Sequence, residues 1–364
     1  MPLIFFVFFN MKILIIVLSG IGDALMFTPA LKLLRNKIPD GRIDALVMYQ
    51  GAGDIYKNNP NLDNVYQFNF LKEGVIASLK YISQLRGKYD TTINVYPSNR
   101  KEYNIIGFLI GAKNRAAVKY LRKDFSNLGF LNSIRITEND SVHNVETNIK
   151  LIEKLLKKEF DEDPTLELIV TEEDEIRAQK FFSENNILKD DLVIGFHPGC
   201  ATLKNHIKRR WEPEKFSELG KKLIDHHHTK ILLFGGPDED ELKKLVKVKI
   251  DSQDAFVINT NGILQSAAIM KRCSIFVTND SSQMHIAAAQ QLKVVAIIGP
   301  TNPNYIHPWK TEHKIVTLNL DCAPCFFYSP RSLICSRDDV QFKCIKELTV
   351  DMVYSAVKEF LTKT

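Results

Sequence analysis

The stretch SIFVTNDSSQMHIAAA, residues 274–289, reads as a short apolar strand over 274–278, a polar turn over 279–282 and an alanine-rich helix from Gln283 onward. Asp280, Ser281 and Ser282 are helix-capping residue types. The unpaired N–H groups behind them, reinforced by the helix dipole, attract an anion such as a pyrophosphate. His285 falls in the first turn, within reach of the same anion. An ordinary capped helix with a solvated histidine accounts for the same residues, so the choice rests on what surrounds this element.

A chain of 364 residues, 45% hydrophobic and 25% charged, is globular and long enough for two domains with their own cores. Its formal charge of +5 suits an anionic substrate or a membrane surface and does not imply nucleic acid. No RNA-binding signature and no basic helix with interleaved aromatics is present. The opening MPLIFFVFFN is apolar but lacks a basic leader and a small-residue cleavage site, and Asn10 and Lys12 interrupt its run into 13–18. Met11 is therefore read as the functional start, with MKILIIVL as the first strand. The expected location is the cytoplasm, with peripheral contact to the inner membrane left open.

Residues 12–18, the turn SGIGD and the helical pattern ALMFTPALKLLRNK form the opening strand–helix unit of a parallel sheet. Further strands are expected over 43–48, 65–68 and 91–96, with helices over 73–86 and 144–160. The acidic, proline-bearing DEDPTLELIVTEED at 161–174 marks a domain boundary. Beyond a helix over 172–185, strands are expected at 192–196, 230–234, 255–258, 275–278 and 294–298. Alternation of this kind predicts two doubly wound, Rossmann-like α/β domains. Their expected extents are 1–165 and 166–349, with a final helix in 350–364 free to pack back on the first.

Ligands of such sheets bind beyond the carboxyl ends of the strands. At the first such end, Gly20 and Gly22 permit close approach to the backbone and Asp23 opens a helix. Leu25 replaces the third glycine of a dinucleotide fingerprint, which argues against nicotinamide, and a plain helix cap is the other reading of Asp23. In the second half, HPGCATLKNHIKRRW at 197–211 follows a strand and carries Lys204, Lys208, Arg209 and Arg210. This is a phosphate-holding loop or a solvated basic one. FGGPDEDE at 234–241 offers Glu239 to a ribose hydroxyl, or is a surface acidic turn.

Together these motifs resemble glycosyltransferase family 9, the ADP-heptose:lipopolysaccharide heptosyltransferases. The likeness rests on GDALMFTPALKLLR at 22–35, HPG with KRRWEPEKF at 208–216, FGGPDEDE, and the segment from Asn259 through TNDSSQMHIAAA to GPT at 299–301. It implies a GT-B architecture, two Rossmann-like domains facing a cleft, with acceptor in the first and nucleotide sugar in the second. The implied reaction is inverting transfer of a heptose or related sugar from an ADP-sugar to a lipopolysaccharide core-type acceptor. No catalytic metal and no required cofactor belong to it. Asp23 corresponds to the general base. Lys208, with Arg209 second, is expected to neutralise the leaving diphosphate, with Ser281, Ser282 and His285 holding its oxygens and Asp280 ordering the loop or reaching the sugar. Ser282 stands where the family usually has glycine.

Arg100 and Arg115 are the expected acceptor contacts, from a basic set that also includes Lys101, Lys113, Arg122 and Lys123. Cys322, Cys325, Cys335 and Cys344 resemble a cysteine-rich stretch of many family members. They leave open a structural zinc or iron, although their irregular spacing favours plain buried small residues. The competing functional readings are a sugar-nucleotide epimerase or hydrolase on a similar fold, and a catalytically inactive nucleotide-sugar binder.

Overall fold

The computed structural model describes residues 11–98, 100–327 and 333–362; residues 1–10 and the Lys204 side chain lie outside the described residues. The chain divides into two compact units, the first ending at Glu167 and the second beginning at Leu168 and carrying the C-terminal segment.

In the first unit, β1 (Lys12–Val17), β2 (Arg42–Val47), β3 (Asn64–Gln67), β4 (Thr91–Asn94), β5 (Asn114–Lys119) and β6 (Ile134–Thr137) form one sheet in the order β3-β2-β1-β4-β5-β6. Every neighbouring pair is parallel. Helices cover it, and the run ILIIV at the centre is buried because both of its faces are covered. Leu14, Ile16, Leu46, Ile82, Tyr103 and Ile106 build the core on one side. The helix Ile21–Lys37 continues straight through Pro29, which removes the N–H that Leu25's carbonyl would accept. Thr28 Oγ1 donates to that carbonyl instead, at 2.7 Å.

The second unit repeats the plan. Strands β7 (Val193–His197), β8 (Lys230–Leu233), β9 (Ala255–Val257), β10 (Ile275–Asn279), β11 (Lys293–Ile297) and β12 (His313–Val316) run in the order β12-β11-β10-β7-β8-β9, all parallel. In each sheet the strand order reverses once, between β1 and β4 in the first and between β7 and β10 in the second. That switch point opens a crevice at the strand carboxyl ends. SGIGD follows β1, while HPG follows β7 and the NDSS turn follows β10. Chain order alone therefore delivers these loops to the switch points of their own sheets.

The C-terminal helix, Val350–Leu361, lies against β10, β11, β12 and the helix Pro213–His227, all of the second unit. Its Val353, Val357 and Phe360 share a core with Val295 and Val316. The structure thus assigns to the second unit a helix for which the sequence allowed packing on the first. Three strands escape the sequence pattern: β5, β6 and β12. Among the described residues no helix is long and apolar enough to cross a membrane.

Phe360 is 1% exposed. Replacing it with alanine should destabilise the second unit by about 3–5 kcal/mol, the usual cost of truncating a buried aromatic. Urea unfolding measures this, and a change below about 1 kcal/mol would contradict the packing described.

Candidate active site

The register β7–β10 pairs Phe196 with Val277 and His197 with Thr278, so the loops leaving these strands start side by side. Asn279 fastens them. Its Oδ1 accepts from Trp211 N at 2.9 Å, and its Nδ2 donates to the carbonyls of Pro198 and Gly199 at 2.9 and 3.2 Å. Trp211 is fully buried and donates through Nε1 to Leu348 O. The basic loop is consequently anchored at its far end.

Arg209 of that loop turns inward. Arg209 Nη1 donates to Asp280 Oδ2 at 2.5 Å, and Thr301 Oγ1 donates to the same oxygen at 2.6 Å. Both charged side chains are only 9% exposed. Arg209 Nη2 lies 3.1 Å from His206 Nδ1, and the guanidinium sits 5.6 Å from the Phe326 ring centroid. Its Nε is buried without a partner, as is the Nε of Arg210. Lys208, the first choice from the sequence, is exposed, whereas Arg209 is buried at the switch point.

His197 makes a second cluster. Its Nδ1 lies 2.9 Å from Ser281 Oγ and its Nε2 3.0 Å from Glu239 Oε2. Glu239 Oε2 also accepts from Gly236 N at 3.1 Å, while Oε1 lies 3.9 Å from Arg210 Nη2. Burial pushes the Glu239 carboxyl up, but His197, the Gly236 amide and Arg210 together hold it below the ordinary carboxylate range. Gly199 leaves room for this arrangement, because a Cβ there would come within 1.8 Å of Glu239 Oε1 and the carboxylate would have to shift. The turn that presents Glu239 is fixed by buried Lys243, which donates to Ile258 O at 2.7 Å and Gly235 O at 3.3 Å. The sequence offered Glu239 to a ribose; the structure places one of its oxygens on His197.

The helix Ser282–Ala289 begins with Ser281 in an extended conformation and no side-chain cap. Met284 N donates to Ser281 O at 3.2 Å, and the N–H groups of Ser282 and Gln283 before it have no intrahelical acceptor, as at every helix start. Gln283 Oε1 and His285 Nδ1 are buried without hydrogen-bond partners. His285 is 4% exposed rather than solvated. Burial lowers its pKa to about 4, against the pull of Asp280 and with the push of His307. The ring is therefore a neutral donor or acceptor at neutral pH, not a cation.

In the first unit, Asp23 Oδ2 accepts from Gly20 N at 3.0 Å at the start of the helix Ile21–Lys37. Ser19 Oγ beside it is buried without a partner. Tyr103 OH donates to Leu18 O, and Tyr56 OH to Ala24 O, which braces the loop on either side. At the end of β6 a buried carboxylate absent from the sequence reading, Glu138, accepts from Tyr96 OH at 2.8 Å and Leu121 N at 2.9 Å. Of the expected acceptor contacts, Arg115 is committed to structure: it donates to Leu131 O and Ala112 O and stacks on Phe108. Arg122 pairs with Asp140. Arg100 is half-buried just before the helix Lys101–Ile110.

All six cysteines are free thiols. Burial first, and the neighbouring thiols next, push Cys344 up to about 11 and raise Cys325. Phe342 N donates to Cys335 Sγ at 3.2 Å. Among the described residues no group of three or more His, Cys, Asp or Glu side chains is arranged to hold a metal ion. The zinc or iron that the sequence left open at Cys322, Cys325, Cys335 and Cys344 finds no support in that arrangement.

Comparison with known proteins adds the family. The sequence model of glycosyltransferase family 9 (heptosyltransferase) matches residues 78–332. The lipooligosaccharide heptosyltransferase 2 of Haemophilus influenzae is 26% identical over 320 residues, covering 85% of this chain and 89% of the relative. Among solved structures, a family 9 glycosyl transferase of Veillonella parvula superposes with a TM-score of 0.74 at 20% identity, covering 98% of this chain and 99% of that one. The E. coli ADP-heptose lps heptosyltransferase II gives 0.72 at 20% identity over 97% and 99%. The fold is accordingly GT-B.

The buried, uncharged His285 makes a pH prediction. Its folded pKa of about 4 lies below the ordinary 6.5, so the unfolded chain binds the proton first. Its contribution is full above about pH 6.5 and is lost as pH falls toward 4. Denaturant titrations across that interval should show a loss on the order of 3 kcal/mol that His285→Asn removes. An unchanged slope in the variant would refute the assignment.

Proposed function

Given that the chain belongs to glycosyltransferase family 9, we propose that it is an inverting transferase moving a heptose, or a related sugar, from an ADP-sugar to a lipopolysaccharide core-type acceptor. What carries the reading is the uncapped start of the helix Ser282–Ala289, with Arg209 and the unpartnered His285 nitrogen beside it. These are donors gathered at the switch point of the second sheet, where developing negative charge is best stabilised.

In this mechanism the acceptor hydroxyl attacks the anomeric carbon from the face opposite the diphosphate, and Asp23 takes the hydroxyl proton as the new C–O bond forms. The bond from the anomeric carbon to the β-phosphate oxygen breaks, and its electron pair leaves with ADP. Configuration inverts once. The departing diphosphate gains a negative charge, which the N–H groups of Ser281 and Ser282, His285 and the Arg209 guanidinium accept without a metal. Asp280 holds Arg209 in place, and exposed Lys208 contributes from solvent. Glu239 Oε1 remains available to the ribose. The first unit takes the acceptor, with Gly20 and Gly22 allowing its approach and Arg100 meeting its acidic groups. A lipid-borne acceptor would keep the protein in the cytoplasm at the inner membrane surface.

Incubation with ADP-heptose and a deacylated core acceptor, following ADP release and product mass, tests this reading. Release that requires acceptor and survives a chelator is expected. Release without acceptor would mean hydrolysis, and nucleotide binding without release would mean an inactive binder. Asp23→Asn should lower kcat by about 10²–10⁴ with little change in donor KM, the range for a lost general base. Arg209→Ala should lower kcat by roughly 10²–10³, as for one lost charge-stabilising donor. Normal turnover by Asp23→Asn would remove Asp23 from the base role.

A further inference from the structure

Helix starts are normally closed by the side chain of the capping residue, which accepts from an N–H two or three residues on. Ser281 is a favourable capping residue in the right extended conformation, at φ −156° and ψ 170°, yet its hydroxyl makes no such bond. It is engaged elsewhere: by His197 Nδ1 at 2.9 Å and by Thr278 Oγ1 at 3.2 Å. His197 is itself held at its other nitrogen by Glu239, 3.0 Å away. A carboxylate only accepts, so Nε2 carries a proton toward Glu239 and the ring presents Nδ1 to the Ser281 hydroxyl. Three residues from three strand ends thereby draw the cap off its own helix.

We propose that His197, oriented by Glu239, is a positioning residue that keeps Ser281 from capping the helix Ser282–Ala289 and so holds the N–H groups at its start, Ser282 and Gln283, open for the diphosphate of a nucleotide. The inference rests on the donor site proposed above and adds to it a residue that touches no substrate. Independent signs of a ligand at this helix are the buried, unpartnered His285 Nδ1 and Gln283 Oε1. Gly199 and Lys243 support the relay from behind, the glycine by leaving room for Glu239 and the lysine by fixing the turn before it. Without His197, Ser281 is free to rotate onto its own helix, where it competes with the nucleotide for the same N–H groups.

The two nitrogens of His197 can be replaced separately. An asparagine places a polar atom where Nδ1 stood and keeps Ser281 engaged; a glutamine reaches toward Glu239 and lets Ser281 go. Calorimetric titration of the purified full chain with ADP should therefore show His197→Asn near wild type, while His197→Gln and His197→Ala bind about tenfold more weakly, roughly 1.4 kcal/mol. In a Ser281→Ala background no cap remains to compete, and His197→Ala should cost nothing further, a non-additivity that lost packing alone would not produce. Equal losses with and without Ser281, equal weakening by His197→Asn and His197→Gln, or wild-type binding by His197→Ala would each overturn the relay. A wild-type chain that binds no ADP would instead sink the donor-site reading itself.

Discussion

The ion pair between Arg209 and Asp280 is the constraint on which the second unit's site depends. Both partners are nearly buried, and charges removed from water at such cost persist only when paired and hydrogen-bonded. Thr301 supplies the additional bond on the carboxylate, and Phe326 covers the guanidinium. The result is that segments following β7, β10 and β11 converge on one oxygen atom. Removing either partner would leave an uncompensated buried charge, so these segments are fixed together. Arg209 nevertheless keeps its Nε unspent, which lets a single side chain order the loop and still offer a donor.

The two units share one strand order but place different chemistry at their switch points. After β1 comes a short, glycine-bearing turn that ends in a carboxylate at a helix start, a group suited to receiving a proton. After β7 and β10 come donors and a cation around an uncapped helix, suited to receiving negative charge. Tyr103 and Tyr56 brace the first loop through backbone carbonyls, whereas Asn279 and Lys243 brace the second set through several strand ends at once. The larger number of ties in the second unit matches the larger number of segments it must hold in register.

Central strands were legible because burial on both faces writes itself as continuous apolar runs, as in KILIIV and IFVTN. The strands that escaped are those with little such signal. β5 is NRAAVK, with polar residues at both ends, while β6 and β12 are four-residue edge strands, the former with alternating exposure. Motifs at strand ends were equally readable, since turn residues, caps and cations have local signatures. Which cation turns inward was not. Lys208 and Arg209 are adjacent, and only the partner Asp280, 71 residues away, separates them. His197 is visible as the first residue of the loop that follows a strand run, but its meaning lies in Ser281 and Glu239, 84 and 42 residues distant. Pairings of that kind are made by topology and leave no periodicity behind.

The resemblance to family 9 leads one to expect glycine at Ser282, and the backbone explains why serine fits. Ser281 is extended at φ −156°, and Ser282 is not among the residues of positive φ, so neither position demands the left-handed conformation that favours glycine. A glycine there is needed only where a ligand approaches too closely for a side chain. Ser282 is the first residue of its helix and half-buried, so it adds a hydroxyl-bearing side chain at the helix start that Ser281 leaves uncapped. The substitution therefore exchanges open space for one more hydrogen-bonding group at the helix start, and any diphosphate seated there must meet that hydroxyl as well as the backbone.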